Sequence, residues 1–176
     1  QAFYWISLCG LIMIMSSMLC CQNNLRKFPS NYIHLSIFTI CISYQLGMAT
    51  IFYNTLILIQ AIGITMIIII TLTIYACQTI CDFTDKGGYL ISFLLGIILL
   101  GIINIFVMNS VLQNISIGLG AIIFSCFIIY DTQLIIGEKH YKYRYNIDDY
   151  VFASISIYLD IINLFIYIID LLSNRN

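Results

Sequence analysis

The fold is decided by the apolar stretch TLILIQAIGITMIIIITLTIYACQT, residues 55–79, which contains no charged side chain. A helix that crosses the hydrocarbon core of a bilayer needs about 20 apolar residues at about 1.5 Å each. Residues 32–80 as one helix would be roughly 70 Å long, more than twice the thickness of that core. We therefore divide this region at Tyr53-Asn54-Thr55 into two membrane spans, 31–53 and 55–79.

The rest of the chain repeats this pattern of long apolar runs separated by polar segments. Four further spans are predicted, at 2–21, 89–108, 115–136 and 150–172. The polar residues between spans 89–108 and 115–136 are assigned to a short turn: Asn109, Ser110, Gln113 and Asn114. We therefore expect an all-α, polytopic transmembrane helix bundle of six spans, in a single transmembrane domain over residues 1–176.

The composition supports a membrane protein and argues against other classes. Hydrophobic residues make up 61 % of the chain and charged residues 9 %, whereas a soluble domain is about a quarter charged. A surface this poor in polar side chains is tolerated by lipid, so membrane lipid is the predicted partner. The net charge of −1 gives no reason to expect nucleic acid binding. Nothing in the sequence predicts a bound cofactor.

The lysine and arginine residues predict how the bundle is oriented. Alternate loops place six of them on one side of the membrane: Arg26, Lys27, Lys86, Lys139, Lys142 and Arg144. The other side has only Arg175, at the C-terminus. The positive-inside rule makes the first side cytosolic. Residue 1 then starts on the lumenal side, so we expect an earlier span upstream of Gln1.

Three aspartates fall inside predicted spans: Asp131, Asp160 and Asp170. An ionisable side chain in lipid is costly and is tolerated when it faces the bundle interior or a water-filled cavity. Asp131 lies five residues before Ile136, and Asp160 ten residues after Tyr150, which separates the two by roughly 8 Å in depth. Because the two spans are antiparallel neighbours, we expect Asp131 and Asp160 to lie within reach of each other. Asp170 is interpreted as structural, near the lumenal interface.

Two neighbouring carboxyl groups in a low dielectric do not both ionise easily. We therefore predict that Asp131 and Asp160 share a proton near neutral pH and separate at higher pH, as a pH-sensitive latch between two helices. When both are ionised they also provide oxygen ligands for a hard cation. A nearby cation such as Arg26 or Lys27 could pair with one of them.

The last span carries a polar stripe that includes one of these aspartates. Ser156, Asp160, Asn163, Tyr167 and Asp170 follow one another at spacings of 4, 3, 4 and 3 residues, which places them on one face of a helix. Such a face either lines a pore or forms hydrogen bonds with neighbouring helices. We predict that Ser156, Asn163 and Tyr167 support the aspartate pair.

An enzyme is not predicted, because the sequence has no nucleophile–base constellation, phosphate-binding loop or HExxH motif. An intramembrane hydrolase with two aspartates is a distant alternative. Tyr130-Asp131 resembles the first motif of such proteases, but Tyr158-Leu159-Asp160 does not match their second.

The C-terminal third carries a family resemblance. The segments FIIYDTQ (127–133), DDYV (148–151) and SIYLDIINLF (156–165) resemble the signature of the Bax inhibitor family. The resemblance is greatest to the lifeguard branch, which includes the Golgi anti-apoptotic protein. The weaker similarities are Lys27-Phe28-Pro29, Gln78 and Asp82-Phe83.

This resemblance implies a seven-helix bundle, with one helix before residue 1, in endoplasmic reticulum or Golgi membranes. It implies a calcium leak channel that takes part in calcium homeostasis and the regulation of apoptosis, with Ca²⁺ as the permeant ion. The family's pH-sensitive aspartates match Asp131 and Asp160, and its basic latch residue is matched by Arg26.

The chain departs from the family pattern in the span 31–53. Members often carry an acidic residue in the middle of this helix, but residues 38–43 (FTICIS) contain none, and Tyr53-Asn54 stands where Tyr-Asp is common. The aspartate pair favours a pH-sensitive calcium leak. The missing acidic residue favours the alternative, a non-conducting membrane scaffold that binds cell-death regulators or other channels.

Overall fold

A computed structural model describes residues 2–20, 29–78, 82–137, 145 and 149–174. Over these ranges the chain forms six α-helices and one short 3₁₀ helix at Thr84–Lys86. The helices are α1 (Ala2–Cys20), α2 (Ser30–Thr50), α3 (Thr55–Gln78), α4 (Gly87–Val107), α5 (Ser110–Ile136) and α6 (Tyr150–Ser173). The all-α prediction is confirmed for the described part of the chain.

Five of these helices, α2 to α6, are long and apolar enough to cross a membrane. The predicted span 2–21 corresponds to α1 (Ala2–Cys20), which includes the apolar stretch Trp5–Ile14. Large apolar side chains on the helices are widely exposed, for example Ile67 at 67 %, Phe93 at 64 % and Phe106 at 82 %. Exposure on this scale is expected where lipid covers the protein surface.

The prediction that Ser110, Gln113 and Asn114 belong to a turn is wrong, because these residues lie in a helix. Helix α5 begins at Ser110, five residues before the predicted start of the fifth span. The Asn109 side chain caps it by accepting hydrogen bonds from the backbone N–H groups of Val111 and Leu112 at 2.8 and 3.4 Å. Gln113 and Asn114 therefore lie within the helix instead of in a turn, because an asparagine cap determines where the helix starts more strongly than two polar residues in its first turns.

The chain divides into two compact units. The first contains α1, α2 and the segment Tyr145–Ile155. Its helices α1 and α2 approach each other closely, since a Cβ atom at Gly10 would lie 2.9 Å from Cys41 Sγ. At the start of α2, the Asn31 amide donates a hydrogen bond to the Tyr150 hydroxyl, and the rings of Tyr32 and Tyr150 are 6.1 Å apart.

The second unit contains α3, α4, α5 and the part of α6 from Ser156 onward. Helices α3, α5 and α6 share a core cluster of buried apolar residues: Ala61, Phe124, Ile128, Leu164, Ile168 and Ile169. Helix α4 meets α5 where a Cβ at Gly87 would lie 2.7 Å from the Tyr130 hydroxyl. Helix α5 thus packs against three neighbours, and both aspartates of the predicted pair belong to this unit.

Candidate functional site

Asp131 of α5 and Asp160 of α6 lie side by side within the second unit. Their side chains are hydrogen-bonded to each other, and each residue is only 6 % exposed. An ionised carboxylate has acceptor atoms and no donor, so a hydrogen bond between two carboxyl groups contains a proton. The structure thus brings together the two aspartates that the sequence predicted to lie within reach of each other.

The depth difference of roughly 8 Å between the two aspartates stays a prediction for their backbones, but it does not keep the two carboxyl groups from forming a hydrogen bond. That difference assumed that α5 and α6 begin and end at one depth. Helix α5 ends at Ile136, where Gly137 adopts a left-handed conformation with φ 59°. Helix α6 begins only at Tyr150. A connection this long does not require the two helix ends to be level.

The pair still has polar atoms without a partner. Oδ2 of Asp160 and Oγ1 of Thr132 are buried and have no hydrogen-bond partner among the described residues. An unsatisfied buried polar atom costs free energy, so natural proteins contain few of them and each calls for an explanation, such as a functional role. The carboxyl pair therefore has free acceptor capacity in addition to its shared hydrogen bond.

The end of α5 next to the pair also anchors a loop, which the sequence did not predict. Gln133, two residues after Asp131, is fully buried, and its Oε1 accepts a hydrogen bond of 2.8 Å from the backbone N–H of Phe83. The loop is ordered further by Asp82, whose Oδ1 accepts from the N–H and the hydroxyl of Thr84 at 2.8 and 2.5 Å. A glutamine in an apolar run is the signal that could have revealed this contact.

The predicted supporting stripe on α6 makes several kinds of contact. The Asn163 amide donates to the carbonyl of Leu159 in its own helix at 2.8 Å. The Tyr167 ring stacks on Phe124 of α5 with centroids 5.7 Å apart, and it lies directly over Gly120. Ser156 is half-buried on the same helix. At Tyr167 the stripe thus serves helix packing, and the roles predicted for Ser156 and Asn163 stay predictions.

Asp170 has a specific partner at the other end of α6. Its Oδ1 accepts a hydrogen bond of 2.5 Å from the hydroxyl of Tyr53, which lies in the connection between α2 and α3. This hydrogen bond, together with burial and the negative charge of Asp170, raises the pKa of Tyr53 to about 12. Sequence reasoning placed Asp170 at the membrane interface and did not find this partner.

Two predictions concern groups that could join the pair. Arg26, the candidate latch, lies outside the described residues. Within the described ranges, no group of three or more His, Cys, Asp or Glu side chains could hold a metal ion. Two carboxyl groups fit the transient passage of a hard cation better than a permanently bound one, which needs six to eight oxygen ligands in the case of Ca²⁺.

The chain is similar to known membrane proteins over its whole length. The family model described as "Inhibitor of apoptosis-promoting Bax1" matches residues 1–176. The chain is 35 % identical over 181 aligned residues to Protein lifeguard 3 of Homo sapiens and 33 % identical to that of Mus musculus, with 99 % of the chain and 57 % of each relative covered. It is 37 % identical over 151 residues to the Golgi anti-apoptotic protein of Vaccinia virus (strain Lister), covering 86 % of the chain and 61 % of the relative.

The chain thus spans less than two thirds of the length of these curated relatives. The segments that suggested a resemblance, and the aspartates within them, lie inside the matched region. The resemblance inferred from the sequence is therefore confirmed: this chain belongs to the Bax inhibitor family.

Proposed function

We propose that this protein is a pH-sensitive calcium leak of an intracellular membrane, and that it inhibits apoptosis by this route. The observation that supports the proposal best is the hydrogen-bonded pair of buried carboxyl groups, Asp131 and Asp160, on two helices that are both long and apolar enough to span a membrane. A buried acidic pair inside a membrane is costly, and its usual justification is an ion or proton pathway.

The chemistry of the pair sets the direction of the pH dependence. At low pH a proton lies between Asp131 and Asp160 and the hydrogen bond holds α5 against α6. Loss of this proton at higher pH leaves two negative charges in contact, which repel by roughly 4 kcal/mol at about 4 Å and an effective dielectric constant of about 20. This free energy can shift a closed–open equilibrium by roughly a thousandfold, so the leak increases as pH rises.

The same charges favour calcium as the permeant ion. Hard cations bind carboxylate oxygens, and two adjacent carboxylates give a doubly charged site for a divalent ion. The free oxygen Oδ2 of Asp160 provides an acceptor even while the pair is hydrogen-bonded. Since the described residues supply no third His, Cys, Asp or Glu side chain there, the ion is bound weakly enough to leave.

Location and biological role are proposed from the relatives. One relative is named the Golgi anti-apoptotic protein, and the chain shares its family. We propose a multi-pass protein of the Golgi or endoplasmic reticulum whose leak lowers lumenal calcium and so weakens death signalling. Its partners are membrane lipid and, in this role, cell-death regulators or other channels.

Calcium efflux from liposomes that contain the intact protein and a calcium dye tests the proposal. The leak should be small below neutral pH and larger above it. In Asp160→Asn, the amide donates to Asp131 at every pH and has no proton to lose in this range, so the leak should stay small. Asp85→Asn, at an exposed carboxylate in the 3₁₀ helix, is the matched control and should behave as wild type. Equal flux in all three proteins at every pH would contradict the proposal.

A second candidate function is a non-conducting scaffold that binds cell-death regulators through its helices. It is favoured by α2, since residues 30–50 contain no acidic side chain that could help to line a cation pathway. Binding of death regulators that persists in the Asp131→Asn/Asp160→Asn double variant, together with no calcium flux in the wild type, would support the scaffold.

A further inference from the structure

Helix α6 carries two acidic side chains that contact different neighbours. Asp160 pairs with Asp131 of α5, whereas Asp170 accepts a hydrogen bond from Tyr53 next to α3. Ten residues separate the two aspartates, which corresponds to roughly 15 Å along the helix. The two contacts therefore lie at different depths, the Asp131–Asp160 pair nearer the predicted cytosolic end and Tyr53–Asp170 at the predicted lumenal end.

We propose that Tyr53 and Asp170 form a second, lumenal closure of the helix bundle, in series with the Asp131–Asp160 pair. This inference rests on the proposed function and deepens it by naming a further positioning contact. It predicts that α6 residues between the two contacts become accessible from the lumen when the Tyr53–Asp170 hydrogen bond is lost.

The surroundings of Tyr53 fit a closure that joins three elements. The Tyr53 side chain packs against the apolar core cluster formed by α3, α5 and α6, so its ring is fixed while its hydroxyl reaches Asp170. Close by, the Asn174 amide donates a hydrogen bond of 2.9 Å to Asn114 Oδ1 of α5. The C-terminal end of α6 is thus tied both to the α3 side and to α5 at the same end of the unit.

The Tyr53 contact also differs from the aspartate pair in its chemistry. The hydrogen bond to Asp170, burial and the charge of Asp170 raise the pKa of Tyr53 to about 12, so the phenol keeps its donor proton across the neutral range. The neighbouring ionisable group is Tyr167, which feels the charge of Asp170. The lumenal closure is therefore mechanical, whereas the Asp131–Asp160 pair is the element that responds to protons.

The test is the accessibility of Asn163, which lies on the α6 stripe between Asp160 and Asp170. In the full-length protein, Asn163→Cys is exposed to a membrane-impermeant thiol reagent on the lumenal side below neutral pH, and the labelled peptide is quantified by mass spectrometry. Adding Tyr53→Phe, which removes only the hydroxyl, should speed labelling severalfold. Calcium flux at this pH should not change, because the aspartate pair still closes the other end.

Two further variants make the result specific. Asp170→Leu should speed labelling of Asn163→Cys as much as Tyr53→Phe does, and the two changes together should add nothing further, because each removes the same hydrogen bond. Tyr75→Phe, at an exposed tyrosine of α3, should leave the labelling rate unchanged.

Labelling rates that are equal in the presence and absence of Tyr53→Phe and Asp170→Leu would overturn the inference. Faster labelling in the Tyr75→Phe control would overturn it as well. Because the labelling needs no calcium conduction, its outcome is independent of the flux assay with Asp160→Asn, and a failure of the lumenal closure can be told apart from a failure of the calcium leak.

Discussion

At Gly120 of α5 the Tyr167 ring of α6 leaves no room for a Cβ atom, and Gly120→Ala should push the two helices apart. A Cβ atom there would lie 2.4, 2.5 and 2.8 Å from three ring carbons of Tyr167, whereas ordinary contacts of this kind are about 3.5–4.0 Å. The ring has little freedom to move, since it stacks on Phe124. The helices or the ring must therefore shift by about 1 Å.

The cost can be worked out from two opposing effects. Overpacking of a core typically costs about 1–3 kcal/mol, while replacing glycine by alanine within a helix returns about 0.5–1 kcal/mol. The difference between these ranges is about 0–2.5 kcal/mol. We expect Gly120→Ala to lose about 1 kcal/mol net, which lowers the midpoint of thermal unfolding by about 2–4 °C for a chain of this size. Thermal unfolding of the full-length protein in detergent, followed by intrinsic fluorescence, measures this shift.

Two controls show whether the Tyr167 ring is the cause. Gly118→Ala lies on the same helix, with nothing within 4 Å of its Cβ position among the described residues, and should be neutral or slightly stabilising. Tyr167→Ala should be destabilising alone but should remove most of the further cost of Gly120→Ala. If Gly120→Ala and Gly118→Ala unfold at the same temperature, the close approach of α5 and α6 at this level is refuted.

The remaining predictions concern single hydrogen bonds. The Asp170 contact raises the pKa of Tyr53 in the folded protein from 10.0 to about 12. The stability that the protonated Tyr53 hydroxyl contributes is therefore complete below pH 10 and is lost between pH 10 and about 12. In unfolding curves measured over a pH series, Tyr53→Phe should abolish the loss of stability in this pH range. Asn109→Ala removes the cap of α5 and should cost about 1 kcal/mol of unfolding free energy, whereas Asn109→Ser should restore it. Gln133→Leu removes the acceptor of the half-buried Phe83 N–H and should cost about 1 kcal/mol. Faster hydrogen exchange at the Phe83 amide would show the loss, and unchanged exchange would contradict it.

The helices could be predicted from the sequence because the thickness of the bilayer limits them. Uninterrupted apolar runs predicted spans 55–79 and 150–172, and the structure places helices at Thr55–Gln78 and Tyr150–Ser173. The start of α5 could not be predicted by the same argument, because hydropathy weighs Gln113 as polar and contains no information on the Asn109 cap.

The aspartate pair could be predicted because the cost of a carboxyl group in lipid and the order of the spans along the chain both point to it. The other contacts of the site could not be predicted in this way. Asp131 and Asp160 are costly in lipid and lie on neighbouring spans, so their juxtaposition follows from chain order. The contact between Tyr53 and Asp170 joins residues 117 positions apart. Periodicity shows which residues share a face of one helix, but it does not show which tyrosine on another element they meet.

The proton shared by Asp131 and Asp160 is the central claim, and infrared difference spectroscopy of the intact protein measures it directly. The account predicts a C=O stretching band of a protonated carboxylic acid that disappears as the pH is raised in the wild type, and that is missing in both Asp131→Asn and Asp160→Asn. A wild-type spectrum without this band at any pH, or a band that survives both substitutions, would contradict the account.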